Sequence, residues 1–355
     1  MASIPIQKTT NSKKKPNIQG LPFGQYFTDH MFLMDYVDGQ GWINPRIVPY
    51  GPFSLDPGTI VFHYAQEIFE GLKAYRTPTG GVQLFRPEEN VSRLNFSAER
   101  MCIPPVPEDT ALSGLKTLIA LERDWVPTEA GASLYIRPFI FATEVTLGVY
   151  PSQTYTFCII TCPVGSYYPE GVNPVKILIE TEDVRAVRGG TGYVKCGGNY
   201  AASIRAGGRA AAAGFSQVLW LDGLHRKYVE EVGSMNVMFK IDGHVVTPEL
   251  SGSVLSGITR KSVLALLQSW GVPVAERLIS VDELIAAANA GKLEEAWGTG
   301  TAAVISPIGE ISYEGVRYTI NDGKTGSLTQ RVYDNLTGIQ WGALEDVFGW
   351  TVPVC

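Results

Sequence analysis

The sequence predicts an α/β protein of the α+β type, built as two domains. Its length of 355 residues and its 45% hydrophobic content are enough for two cores of ordinary size. The first half groups β-rich runs around two helical stretches, which favours an antiparallel sheet. A stretch rich in Gly, Pro and Tyr, "GSYYPEGVNP", then interrupts the apolar patterning. These features imply a flexible tail over residues 1–20, an N-terminal α+β domain over 21–165, a linker at 166–176 and a C-terminal domain over 177–355.

The elements follow in order. "HMFLMDYVDGQGWI" reads as a hairpin that bends at Asp38-Gly39 and Gln40-Gly41. "GGVQLFR" reads as a strand. "RPEENVSRLNFSAERM" turns helical at Pro87, with Val91, Leu94, Phe96 and Met101 expected on one apolar face. "TALSGLKTLIALERDWV" is a second helix, and "ASLYIRPFIFATE" and "TYTFCIITCPV" are strands. Past the linker, strands are expected at "VKILIE", "QVLWLD", "YVEEV" and "NVMFKI". Helices are expected at "ASIRAGGRAAAAG", "GITRKSVLALLQSWG" and "SVDELIAAANAGK", and a last strand ends "EEAWGTGTAAVISPIGEI". The chain has no internal repeat.

Composition narrows the function. A formal net charge of −6 argues against non-specific nucleic-acid binding. Lys13-Lys14-Lys15, the one basic cluster, falls in the polar tail. No run approaches the ~20 apolar residues of a membrane span. The start lacks the apolar core of a secretion signal. The five cysteines show no zinc spacing and read as reduced thiols of a cytoplasmic protein. His30, His63, His225 and His244 are scattered, so no metal site is expected.

Several motifs carry chemistry. "GTGTAA" at residues 298–303 matches a dinucleotide fingerprint, but the residues after it read as strand where that motif must open a helix. A tight turn with exposed N–H groups is the better reading, and such a turn can hold an anion. Lys195 is the only charge in "GGTGYVKCGGNYAAS". A lysine among small apolar residues loses hydration, which favours a free amine able to form a Schiff base; a structural or surface lysine fits the local sequence equally well. Gly257, Ile258 and Thr259 stand at a helix start, where free N–H groups and the dipole favour a phosphate. Glu230 and Glu231 end an apolar strand, so alternation should turn one of them inward. Tyr200 follows Lys195 by five positions. A Schiff-base lysine, a phosphate seat and an inward carboxylate are what pyridoxal 5′-phosphate asks of a protein.

On these residues the chain resembles the branched-chain amino-acid aminotransferases of the fold-type IV class. Nearly the whole length carries the likeness, in "EIFEGLKAYR", "LFRPEENVSRL", "SLYIRPF", "CPVGSYYP", "KCGGNYAAS", "EEVGSMN" and "GTGTAA", in family order. The resemblance implies a smaller N-terminal α+β domain, a larger C-terminal domain with a mixed β-barrel, a homodimer, and pyridoxal phosphate as cofactor. It implies that Lys195 carries the cofactor and moves the substrate proton, that Glu231 pairs with the ring nitrogen, and that Tyr200 hydrogen-bonds the ring hydroxyl. Arg93 and the N–H groups of Ile258 and Thr259 would hold the phosphate, and Ser234, where the family often has threonine, and Thr301 would also stand at the cofactor. Tyr64, Thr301 and Ala302 would meet the substrate carboxylate, and Phe23, Tyr135 and Tyr167 would line the side-chain pocket. Arg137 is either the partner of glutamate's second carboxylate or one half of a structural salt bridge. A C-x-x-C pair of some relatives is replaced here by Ala303 and Ser306. The implied reaction is a ping-pong exchange between leucine, isoleucine or valine and 2-oxoglutarate. The rivals are a D-amino-acid aminotransferase, an aminodeoxychorismate lyase, or a non-catalytic carrier of the cofactor.

Overall fold

The computed structural model describes residues 4–18, 20–165 and 172–355. The chain divides into two compact units. The first comprises Met1–Pro169, Val194–Gly197 and Gly338–Cys355, so two later segments return to it; the second comprises Glu170–Tyr193 and Gly198–Thr337. Residues 166–171 of the expected linker lie outside the described residues.

The first unit is built on an antiparallel sheet. Its strands are β1 (His30–Val37), β2 (Gly41–Pro49), β3 (Glu67–Phe69), β4 (Leu72–Arg76), β5 (Val82–Phe85), β6 (Ser133–Ala142) and β7 (Thr154–Val164). A C-terminal strand, Thr351–Pro353, completes it. Across the sheet the order is Thr351–Pro353, β5, β4, β6, β7, β1, β2, with β3 beside β4 on β6. The β1–β2 turn needs positive φ, and Gly39 and Gly41 supply it at +77° and +79°.

The α-helices among the described residues of this unit are α1 (Val61–Tyr64), α2 (Pro87–Arg100) and α3 (Glu108–Leu121). Pro87 opens α2 as expected. The buried face of α2 runs through Val91, Leu94 and Ala98. Phe96 is out of phase with that stripe and half exposed, contrary to the expected face, and Met101 falls just past the helix end. α3 lies close on β1, where a Cβ at Gly114 would come within 2.5 Å of the Phe32 ring.

The segment read as a flexible tail is attached to this unit. Ile6 bridges Ile47 in parallel, using the open edge of β2. The Thr9 N–H donates to His30 Nε2 at 2.9 Å. Lys13 Nζ donates to the Thr28 carbonyl at 2.8 Å and stands 4.1 Å over the Tyr50 ring.

The second unit contains a closed barrel. Its strands are β8 (Val175–Ile179), β9 (Gln217–Leu221), β10 (Val229–Val232), β11 (Met235–Ile241), β12 (His244–Thr247), β13 (Val274–Glu276), β14 (Leu293–Gly300), β15 (Val304–Tyr313) and β16 (Val316–Thr319). The order β10-β9-β8-β15-β14-β11 closes through a β10–β11 pairing into a six-stranded ring. It is mixed, because β8 runs parallel to both β9 and β15 while the other ring pairs are antiparallel. A barrel of so few strands is filled by side chains, and Ile177, Leu219, Val237, Phe239 and Ile311 are buried in its core.

The helices of this unit are α4 (Gly197–Ala201), α5 (Ile204–Ala212), α6 (Ile258–Ser269) and α7 (Val281–Asn289), and α8 (Ser327–Gln340) leads back to the first unit. α7 starts at Ser280, whose hydroxyl accepts the Glu283 N–H at 3.1 Å. Val281, Leu284 and Ala287 of α7 join the barrel core.

Candidate active site

The loop carrying Lys195 is held by the first unit through short-range polar contacts. The Lys195 N–H donates to Ser97 Oγ at 3.1 Å, and its carbonyl accepts the Phe69 N–H at 3.0 Å. The Gly197 N–H donates to the Glu67 carboxylate, and a Cβ at Gly197 would lie 2.1 Å from that oxygen. Lys195 Nζ then sits 4.5 Å from the Phe69 ring centroid. Both ends of a three-residue strand, β3, thus fix the backbone around the lysine.

Behind β3 is a buried carboxylate, Glu70. Arg93 donates to it from Nε at 2.7 Å and Nη2 at 3.0 Å, and Asn90 Nδ2 at 2.8 Å. Burial pushes the Glu70 carboxyl up, but Arg93, with a contribution from Lys195, outweighs it and holds the group below the usual carboxylate range. Glu67 goes the other way: burial raises it, against the Gly197 N–H and the Arg137 charge.

Around Phe69 the structure gathers several expected substrate residues. The Arg137 guanidinium lies 4.6 Å over Phe69 and 5.3 Å over Tyr135, and its Nη2 donates to the Tyr135 hydroxyl at 2.9 Å. Its Nε is buried with no hydrogen-bond partner, and it makes no salt bridge among the described residues. Phe23 meets Tyr135 edge-on at 4.8 Å. Gly71 is required beneath this cluster, since a Cβ there would stand 2.1 Å from the Tyr135 hydroxyl oxygen. Tyr64, at the end of α1, is 40% exposed and donates to the Leu147 carbonyl at 2.6 Å. Tyr167 lies outside the described residues.

The second unit holds the remaining residues. Strand alternation leads to the expectation that only one of Glu230 and Glu231 is buried. Both are, because β10 is covered on both faces. Glu231 forms an ion pair with Arg185 and accepts from Asn236 Nδ2 at 3.0 Å. Glu230 accepts from the Ser253 hydroxyl.

Gly257, one of the expected phosphate residues, is the N-cap of α6. As a glycine it has no side chain with which to cap α6, and the first helical residues Ile258 and Thr259 are buried. A Cβ at Gly257 would fall 2.0 Å from Asn236 Oδ1, so the glycine lets Asn236 reach both Glu231 and, at 2.8 Å, the Leu255 carbonyl. Tyr200 is half-buried on α4, beside Asn199, which bonds Thr191 in both directions at 2.8 Å. Ser234 is exposed at the β10–β11 turn. Thr301 and Ala302 form the turn between β14 and β15, where Gly300 pairs with Val304. The fingerprint-like "GTGTAA" joins two strands and opens no helix, which removes the dinucleotide reading.

Sequence reasoning did not single out Ser97, Glu67, Phe69, Glu70, Arg185 or Asn236. Glu67, Phe69 and Glu70 lie inside "EIFEGLKAYR", and Asn236 ends "EEVGSMN", so the motifs contained the signal. Arg185 stands in no motif, and only the fold brings it to Glu231. Among the described residues, no group of three or more His, Cys, Asp and Glu side chains is placed to hold a metal, and no helix is long and apolar enough to cross a membrane.

Comparison with known proteins identifies the family of the chain. Residues 67–311 match the family model for amino-transferase class IV. The chain is 56% identical over 352 residues to the branched-chain-amino-acid aminotransferase 2 of Bacillus subtilis (strain 168), covering 99% of this chain and 97% of that one. It is 55% identical to the branched-chain-amino-acid transaminase 1 of the same organism, with 99% of each covered. Among solved structures, the branched-chain aminotransferase of Escherichia coli superposes with a TM-score of 0.78 at 26% identity, covering 92% of this chain and 99% of that one. A branched-chain aminotransferase of T.th., solved with pyridoxamine 5′-phosphate, superposes with a TM-score of 0.75 at 26% identity, over 91% of this chain and 98% of that one. The chain belongs to the class IV amino-transferase family, and within it to the branched-chain amino-acid aminotransferases.

Proposed function

We propose that the chain moves the amino group between L-leucine, L-isoleucine or L-valine and 2-oxoglutarate in a ping-pong cycle, with pyridoxal 5′-phosphate as cofactor. The observation that carries this reading is the Lys195 loop, fixed at Ser97, Phe69 and Glu67 so that one amine faces an aromatic ring.

The residues fit the cofactor on two counts. The N-cap of α6 is Gly257, which brings no side chain over the helix start, and a helix N-terminus suits a phosphate. Glu231 is a buried carboxylate with one oxygen on Arg185 and one on Asn236, and a carboxylate has lone pairs for a further N–H donor. Once bound, the cofactor supplies a carbonyl for the amino group and an electron sink for the bond broken at Cα.

Every other task falls to the chain. Lys195 Nζ holds the cofactor covalently and moves the proton at Cα. Glu231 accepts the ring N–H and keeps it protonated, while Arg185 and Asn236 keep that carboxylate in place. Tyr200 donates to the ring hydroxyl. Arg93, Ser234, Gly257 and the N–H groups of Ile258 and Thr259 hold the phosphate. Tyr64 and the N–H groups of Thr301 and Ala302 receive the substrate carboxylate. Phe23, Tyr135 and Tyr167 form the apolar wall, and Arg137 receives the second carboxylate of glutamate.

The enzyme works as a cytoplasmic homodimer on this reading, as befits its family; a sedimentation mass of a single chain contradicts that part. The residue assignment is tested by Lys195→Ala. Turnover of leucine falls by roughly 10²–10⁴-fold or more, with an unchanged circular-dichroism spectrum. Near-normal turnover removes Lys195 from its role.

A further inference from the structure

Glu230, the neighbour of Glu231 on β10, lines a separate cavity of about 340 Å³ in the second unit. The residue is 5% exposed. One of its carboxylate oxygens accepts from Ser253, while Oε2 has no hydrogen-bond partner among the described residues. Native structures leave few buried polar atoms unmatched, and each such atom invites a ligand or water. Burial pushes the Glu230 carboxyl up, against Ser253 and Arg185.

The character of the cavity selects a ligand class. Val229, Val254 and Leu278 give it an apolar side. Its carboxylates and guanidinium are Asp222, Glu230 and Glu249 against Arg188, three to one. Asp222 is already served by the N–H groups of Leu224, His225, Lys227 and Tyr228. Arg188 Nε is engaged with the Ser251 carbonyl at 2.8 Å. The unmet demand is therefore for a donor at Glu230.

From this geometry we propose that the cavity is a second ligand site for a small organic cation, an alkylguanidinium or alkylammonium. Its N–H groups bind Glu230 Oε2, its alkyl chain covers Val254 and Leu278, and its occupancy alters turnover through Glu231. The link is short. Ser253 bonds Glu230 with its hydroxyl and receives Arg185 Nη2 on its carbonyl at 3.0 Å, and Arg185 pairs with Glu231. The binding site stands on the cavity alone, whereas the effect on turnover rests on the role proposed for Glu231.

The probe is n-propylguanidinium, which has no carboxylate for the substrate site. Calorimetric titration of the holoenzyme should give saturable binding at one site per chain. Glu230→Gln should weaken it at least tenfold. So should Leu278→Trp, which fills the mouth at a position 43% exposed and therefore tolerant of a larger ring. The kcat for leucine should change at least twofold, with the midpoint seen in calorimetry. No saturation, or binding by both variants as tight as by the wild type, overturns the site, and saturation with unchanged kcat overturns the effect on turnover. A chain that binds the probe yet never transaminates leucine overturns the functional reading and the effect on turnover with it, while the site itself stands.

Discussion

Two adjacent glutamates with different partners show how much is decided by single residues. Glu231 sits between Arg185 and Asn236, whereas Glu230 meets Ser253. Glu231→Gln keeps the shape but removes the charge proposed to hold a ring nitrogen protonated, so leucine turnover should fall by about 10²-fold while cofactor still binds. Glu230→Gln should have a small effect by comparison. Steady-state kcat for both variants, beside cofactor content by absorbance, checks this, and a reversed ranking means the wrong carboxylate has been assigned. Arg137 offers a second test. Its guanidinium packs on Phe69 and Tyr135 and pairs with no carboxylate among the described residues. A charge-assisted hydrogen bond contributes about 1.5–3 kcal/mol, so Arg137→Ala should lower kcat/KM for glutamate by roughly 10–150-fold and spare leucine. Equal losses for both substrates return Arg137 to a packing role.

At the scale of elements, close approach between strands sets the site. β4 begins just after Gly71, and the Tyr135 hydroxyl of β6 occupies the space a Cβ would need. Gly71→Ala should cost about 1–3 kcal/mol through overpacking and raise KM for leucine, because Tyr135 must move. Gly198→Ala, where no atom lies within 4 Å, serves as the control for stability. Thermal unfolding of both variants separates the two, and an unaffected Gly71→Ala contradicts the packing described. Elements with local signals were legible in the sequence. The Asp38-Gly39 bend, Pro87 at the head of α2 and Ser280 at the head of α7 each act through neighbours in the chain. α8 was not legible, because its first N–H groups are met by Glu295, more than thirty residues earlier, at 3.1 Å from Leu328 and 2.8 Å from Thr329. β14 was hidden in "EEAWGTG", whose strand character comes from pairing with β11 and β15 on either side.

For the whole molecule, the barrel depends on pairings remote in sequence, such as Ile308 with Val175 and Ile177 with Gln217. No local pattern encodes that register, so the barrel could be expected only from family resemblance. The return of Val194–Gly197 to the first unit is equally remote, and it places Lys195 beside Phe69 and Ser97. The candidate site was legible where a residue's chemistry is conspicuous in its own segment, as at Lys195 and Gly257. It was hidden where the partner is supplied by the fold, as at Arg185. The central claim is that this arrangement transaminates branched-chain L-amino acids at Lys195. Its most direct test is the visible absorbance of the purified holoenzyme during addition of L-leucine, with D-alanine and L-aspartate as comparisons. The cofactor band is expected to be lost with L-leucine, L-isoleucine and L-valine, at rates within roughly two orders of magnitude of one another, and to return on adding 2-oxoglutarate. A band unmoved by L-leucine, or one that responds first to D-alanine or aspartate, contradicts it.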